Sequence, residues 1–416
     1  MSKRSEQQSN KCWDVIVVGG GAAGLMAAIQ AARSGAQVLI LEHMERPGKK
    51  LLMTGNGKCN YTNKKMDSSC FNGSIRLIKN GLSVFNENDT IAFFEELGIP
   101  AYDKNGYIYP NSKQAASVVA ALRMEMTSLK IDVRTSFKVT DIKKTDKGYV
   151  VFSETDKVES KKLIIAAGLK AAPKLGSDGS MFKIIESLGH RFLPVVPALC
   201  GFYCEGLKFN KTAGVRCDCA LTLHTSAGNA LCSEGELQIT DYGMSGIPVF
   251  QISRYASMDI KNGNTPRLET DFMPRMSDDE LLKYLRKRVT CVKDKRSVNE
   301  MLNGILNQKL MLELIHQSKI SPDKKAAMLD DKDLNKLVSV MKHTYVYMKK
   351  PRSFEFAQIC AGGIDTKQID PCTLSSKVCD NLYFAGEILD VDGICGGYNL
   401  QWAWTSGFIA GSSVSR

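Results

Sequence analysis

Gly19, Gly21 and Gly24 stand in the spacing GxGxxG directly after the apolar run Asp14–Val18 and directly before a helical stretch from Ala22 to about Ser34, closed by Gly35. At a strand-to-helix junction, glycines so spaced permit a tight turn, close approach of a pyrophosphate and close packing of helix on strand. The amides that open the helix, those of Ala22 and Ala23 included, are then free to bind phosphate. A second apolar run, Gln37 to Leu41, completes a βαβ unit and ends at Glu42. A carboxylate about 20 residues beyond the glycines can hold both hydroxyls of an adenosine ribose and would repel a 2′-phosphate. Strand, helix, second strand and acidic residue together point to a bound dinucleotide rather than a glycine-rich structural turn. The motif occurs once, so no second nucleotide domain of this kind is expected.

The rest of the chain must position these groups. Its 416 residues, 44% hydrophobic and 24% charged, have the composition of a folded globular protein, which excludes disordered and collagenous classes. The net charge of +11 suits an anionic ligand without requiring nucleic acid, and no nucleic-acid partner is expected from it. Thirteen cysteines are scattered with no CxxC pair, which predicts neither a disulfide framework nor a zinc site and suits the cytoplasm. Cys217 and Cys219 fall on one face of a strand and read as small hydrophobes. No metal site is expected. The apolar stretch Val15 to Ala32 is interrupted by four glycines, so neither a signal peptide nor a membrane span is predicted.

Residues 1–12 read as a flexible polar tail. Further on, Ser112 is expected to cap a helix reaching about Leu129, Asp132 to Ile142 and Tyr149 to Ser153 alternate like sheet, and Lys162 to Ala166 reads as a buried strand. From Pro194 the texture changes to short alternating strands, Leu199 to Cys204 and Asp218 to His224 among them. A helical block follows, opened by Ser277 with Glu280 in a capping box. Leu281, Leu282, Leu285, Val289 and Val292 form its apolar side, and Lys283, Arg286, Lys287, Arg288 and Lys293 form a basic side read as solvated rather than as a docking surface. Ser321 and Pro322 are expected to open another helix. After Ser353 the glycine-rich apolar texture returns, so the simplest organisation is one α/β domain split by a two-part insertion.

Two later segments decide between dinucleotides. Leu163 to Gly168 is a strand ending in Ala166, Ala167 and Gly168, and Asn381 to Glu387 is another ending at Gly386 and Glu387. Both resemble the segments with which two-dinucleotide-type flavoproteins close over FAD. The blocks Arg46-Pro47-Gly48-Lys49-Lys50, Thr54 to Asn63 (TGNGKCNYTN), Gly106 to Pro110, Gly235 to Pro248, Ala385 to Gly393 and Gly396 to Gln401 follow in order. Through them the chain is similar, from about residue 13 to 411, to the BaiN-like and aminoacetone-oxidase-like family of NAD(P)/FAD-dependent oxidoreductases.

The resemblance implies a Rossmann-like FAD-binding domain over 13–193 and 353–416, an inserted β-barrel-like domain over 194–275 and 340–352, and a small helical domain over 276–339. It implies that FAD is held by the Gly19 to Gly24 turn and Glu42, by Lys49, Lys50, Gly57 and Asn60, and by a backbone position at Val139. The two glycine-ended strands, Asp392, and the amides from Gly397 through Tyr398, Asn399 and Leu400 at the flavin pyrimidine would complete the site. The implied activity is reduction, with NADH or NADPH as reductant, of an enone double bond in a steroid-like or bile-acid-like small molecule. A flavin amine oxidase using molecular oxygen is the alternative, and an RNA-associated flavoprotein a second. Tyr242, Tyr398 and Cys59 are candidate proton donors, but no catalytic residue is assigned and no oligomeric state is implied. Thr54, Lys58 and Ala167 stand where the family often has Ser, Arg and Thr.

Overall fold

The computed structural model describes residues 11–228, 230–291 and 296–415, and the chain divides into two units, one running up to Val195 and again from Gln358, the other Val196–Ala357. Residues 1–10 of the expected tail, and Val292 and Lys293 of the helical block, lie outside the described residues.

The first unit opens with β1 (Cys12–Val18), earlier than the apolar run suggests because Trp13 is already buried. It continues through α1 (Ala22–Arg33), β2 (Val38–Leu41), α2 (Ala115–Ser128), β3 (Asp132–Arg134), β4 (Asp141–Thr145), β5 (Gly148–Phe152) and β6 (Lys157–Ile165). The strands form one sheet in the order β3-β2-β1-β6-β5-β4, parallel from β3 to β6 and antiparallel from β6 to β4. Val15 to Val18 are all buried, as a central parallel strand requires. Two expectations fail locally. The run 132–142 is two strands rather than one, broken where Ser136 takes a positive φ of 54°. Ser112 does not cap α2: its hydroxyl lies 2.9 Å from that of Ser117, and the helix begins at Ala115.

The second unit contains β7 (Phe202–Glu205), β8 (Arg216–His224), β9 (Ala230–Ile239), β10 (Gly243–Gly246), α3 (Ile247–Lys261) and β11 (Arg267–Asp271). It goes on through α4 (Asp278–Cys291), α5 (Gln308–Gln317) and α6 (Asp331–Lys342) to β12 (Thr344–Pro351). Its six strands close into an antiparallel barrel in the order β7-β10-β9-β8-β11-β12. The alternation on β8 sends Cys219, Leu221 and Leu223 into the core. The strand expected at Leu199 to Cys204 starts only at Phe202, after Leu199 has turned through a positive φ of 48°. The Ser277 and Glu280 capping box forms, with the Ser277 amide donating to Glu280 over 2.8 Å and the Glu280 amide to Ser277 Oγ over 3.3 Å. Ser321 and Pro322 make a turn instead of a helix start, and α6 opens at Asp330, whose carboxylate accepts from the Asp333 amide. On the basic side of α4, Lys283, Arg286 and Lys287 are exposed, as expected, while Arg288 turns to donate to the carbonyls of Met301 and Asn303.

At the α6–β12 junction the imidazole of His343 reaches Glu269 Oε1 with Nδ1 (2.7 Å) and Asp278 Oδ2 with Nε2 (2.9 Å), while His224 meets the other Glu269 oxygen at 3.2 Å. Only the imidazolium can donate from both nitrogens. Glu269 and Asp278 accordingly hold the His343 pKa above its usual 6.5, and His343 in turn holds Glu269 below 4.5. The His343 contribution to stability is therefore full below about pH 6.5 and is lost as pH rises through the raised value; that of Glu269 is lost as pH falls below about 4.5. Since His343 is 40% exposed, the bridge is worth less than about 1 kcal/mol. We expect urea unfolding midpoints to drop between about pH 6 and 9 by more in the wild type than in His343→Gln, and equal drops would refute this account.

The returning chain adds β13 (Leu382–Phe384), parallel to the C-terminal half of β6, and α7 (Tyr398–Ser413). α7 packs on α1 through Gly407 and Gly411, where a Cβ would lie 2.4 Å from the Ala23 carbonyl oxygen and 2.3 Å from that of Ala27. That contact sets the start of α1 against the C-terminal segment.

Candidate functional site

The C-terminal ends of β1, β2, β6 and β13 gather most of the expected residues, where parallel sheets of this kind bind ligands. At the β1 turn Gly19 has φ 101°, its amide donates to Leu41 O over 2.8 Å, and a Cβ on it would stand 2.6 Å from Ala166 O. A Cβ on Gly24 would stand 1.9 Å from Gly19 O. These two glycines are required by the chain's own packing. Gly21 is not: nothing of the protein lies within 4 Å of its Cβ position, and as N-cap of α1 it brings no side-chain hydrogen bond to the helix start.

Glu42 is buried and uses both oxygens, Oε2 accepting from the Gly20 amide and Oε1 from the Met44 amide, each over 2.7 Å. The carboxylate thus shapes the loop beside the turn, and each oxygen retains a further lone pair. Across the site Gly386, φ 79°, has its Cβ position 2.7 Å from Ala23 Cβ, and its amide donates to Ser406 Oγ over 2.8 Å. Sequence reading missed Ser406, because a serine within an apolar helix carries no local signal of a partner 20 residues away.

Lys50 and Glu387, 337 residues apart, form an ion pair of 2.7 Å, and the other Glu387 oxygen accepts from the Cys360 amide. Lys49 is engaged at 3.4 Å with Glu45. The loop at Gly55, Asn56 and Gly57 runs with φ of 56°, 53° and 81°, and leads to Asn60, whose Oδ1 is buried without a hydrogen-bond partner. Gly397, N-cap of α7 at φ 95°, would place a Cβ 3.1 Å from that oxygen, so Asn60 and the start of α7 meet.

Other expected residues are committed to local structure. The Asn399 side chain bonds both the amide and the carbonyl of Gly393, which fixes that loop against the start of α7. Asp392 is buried and accepts from Asn72 over 3.1 Å. Val139 is buried just before β4, and Leu400 lies in the first turn of α7. Gly168, φ 69°, faces Ser177. Among the candidate donors, Tyr398 donates to Lys65 O over 3.1 Å with its pKa raised by burial, and burial pushes the Cys59 thiol up to about 12. Both are therefore held in the protonated form near neutrality, the form in which a proton donor acts.

The open space over Gly21 and two helix starts without side-chain caps suit the anionic part of an extended cofactor, and the unpartnered Asn60 oxygen suits a hydrogen-bond donor on it. Together with the glycine-ended strands they form a site of the Rossmann dinucleotide-binding class.

The chain belongs to the family described as "HI0933-like protein Rossmann domain", which matches residues 13–413. It is 42% identical, over 96% of its length and 98% of the other's, to the 3-dehydro-bile acid delta(4,6)-reductase of Clostridium scindens. It is 29% identical, over 96% and 98%, to the ribosomal RNA dihydrouridine synthase of Haemophilus influenzae. A crystal structure of 3-ketosteroid-delta4-(5alpha)-dehydrogenase from Rhodococcus jostii, 15% identical with a TM-score of 0.50 over 100% of this chain and 99% of that one, shares the fold. The resemblance to BaiN-like flavoproteins read from the sequence is borne out. No helix among the described residues is long and apolar enough to cross a membrane.

Proposed function

We propose that this protein reduces a carbon–carbon double bond conjugated to a carbonyl in a steroid-like small molecule, with NADH or NADPH as reductant. The observation that carries this reading is the 42% identity, over nearly the whole chain, to a bile-acid reductase. A double bond at position 4 beside a 3-oxo group is an enone. The C5=C6 bond of uracil is likewise conjugated to a carbonyl, so both relatives' names describe one electronic step on different molecules, and the substrate is where they part.

Bound FAD would supply the hydride chemistry. The chain's own part is to hold and tune it. Gly21, Ala22 and Ala23 at the start of α1 would take the pyrophosphate, and Glu42 would reach the ribose from a position fixed by two amides. Because Lys50 is matched by Glu387, it would act on the pyrophosphate as one half of a pair rather than as a free charge. The amides opening α7 would stabilise negative charge on the reduced ring by about 0.3 to 1 kcal/mol, up to ~2 where partly buried. With a single GxGxxG, the nicotinamide nucleotide would bind transiently at the flavin.

Anaerobic stopped-flow absorbance tests this. Bleaching of the yellow protein by NADH or NADPH, followed by reoxidation with a 3-oxo-Δ4 steroid, is the expected result. Bleaching only by small amines, with rapid recovery in air, would replace the reductase by an oxidase. One second reading has an observation behind it: the likeness to an RNA dihydrouridine synthase favours uridine in RNA as substrate. RNA affinity falling steeply with salt, and RNA-dependent reoxidation without steroid turnover, would select it.

A further inference from the structure

We propose that Arg352 and the rings of Tyr203, Tyr242 and Phe356 form a binding site for a planar carboxylate carried by the substrate. The proposal rests on the enone-reductase reading and narrows its substrate to acidic molecules. Arg352 follows the last residue of β12, and its amide donates to Gly201 O over 2.8 Å, which fixes the backbone beside β7. The guanidinium carbon lies 3.8 Å from the Phe356 ring centroid, 4.3 Å from that of Tyr242 and 5.6 Å from that of Tyr203. Tyr203 and Tyr242 contact each other at 5.2 Å.

Aromatic faces attract the guanidinium but accept none of its in-plane hydrogen bonds. Nε is buried with no partner, and among the described residues no carboxylate forms an ion pair with this side chain. Phe356 and Tyr203 are nonetheless 56% and 41% exposed, so the cluster is open to solvent on the ring side. A cation held rigidly between rings, with unused donors in a planar fork, matches a carboxylate joined to an apolar body. A phosphate site would instead gather several cations or a helix start.

The test compares a 3-oxo-Δ4 steroid carboxylic acid with its uncharged methyl ester on the FAD-loaded enzyme, reading affinity from the flavin spectrum and kcat/KM from turnover. In Arg352→Gln the acid-to-ester ratio of both should fall at least tenfold, with Arg352→Lys intermediate because an ammonium keeps the charge and loses the fork. FAD content and melting temperature serve as the check on folding. Equal losses for acid and ester, or no loss, would overturn the proposal. Benzoate, followed by saturation-transfer NMR, separates the two readings: if the wild type takes up benzoate through Arg352 but neither steroid, the steroid reading fails and the site stands. If it takes up neither benzoate nor the steroids, the site is refuted.

Discussion

Gly24→Ala will purify without FAD and will melt below the wild type even as apoprotein. The Cβ it adds would stand 1.9 Å from the Gly19 carbonyl oxygen, and both groups are backbone or fixed to it, so α1 must leave the β1 turn. Overpacking of this kind typically costs about 1–3 kcal/mol and sometimes more. The displacement also moves the helix start that would take the pyrophosphate, so loss of FAD affinity by a factor of at least about 100 is expected. Gly21→Ala is the control. Its Cβ meets nothing of the protein within 4 Å, so the apoprotein should melt like the wild type while FAD binding weakens. If Gly21→Ala binds FAD unchanged, measured by fluorescence release on dilution, the pyrophosphate does not pass over this residue.

Glu42→Ala carries the second large effect. It strips two amides, Gly20 and Met44, of acceptors at 2.7 Å, and each donor left unpaired in a buried site costs about 1–3 kcal/mol. Glu42→Gln is nearly as informative, because a carboxamide can accept at one end only and presents N–H to N–H at the other. We expect both variants to bind FAD at least tenfold more weakly and to melt lower, with alanine the worse. If glutamine restores wild-type binding and melting, the carboxylate's bridging of the two amides is not what positions the loop.

These two sites were legible before the fold, whereas others were not, and the difference is one of distance along the chain. The βαβ unit is local: β-branched runs, glycines and an acidic residue within about 30 positions constrain one another through sterics and helix-end electrostatics. The alternating strands of β8 announced an antiparallel unit for the same reason. Two expected strands were cut short where a single residue with positive φ, Ser136 or Leu199, interrupted a pattern that otherwise reads as continuous sheet.

By itself, then, the sequence determined the dinucleotide βαβ unit, since periodicity and steric minima act over neighbouring residues, and its motif blocks carried the resemblance to the family. Only the tertiary structure decided that Lys50 answers to Glu387, that Asn399 spends its side chain on Gly393, and that Arg352 stands among three rings without a carboxylate. Such pairings depend on which strand ends and loops are brought together. Nothing in the spacing of Lys50 and Glu387, 337 residues apart, specifies a 2.7 Å contact until the sheet has set β13 beside β6.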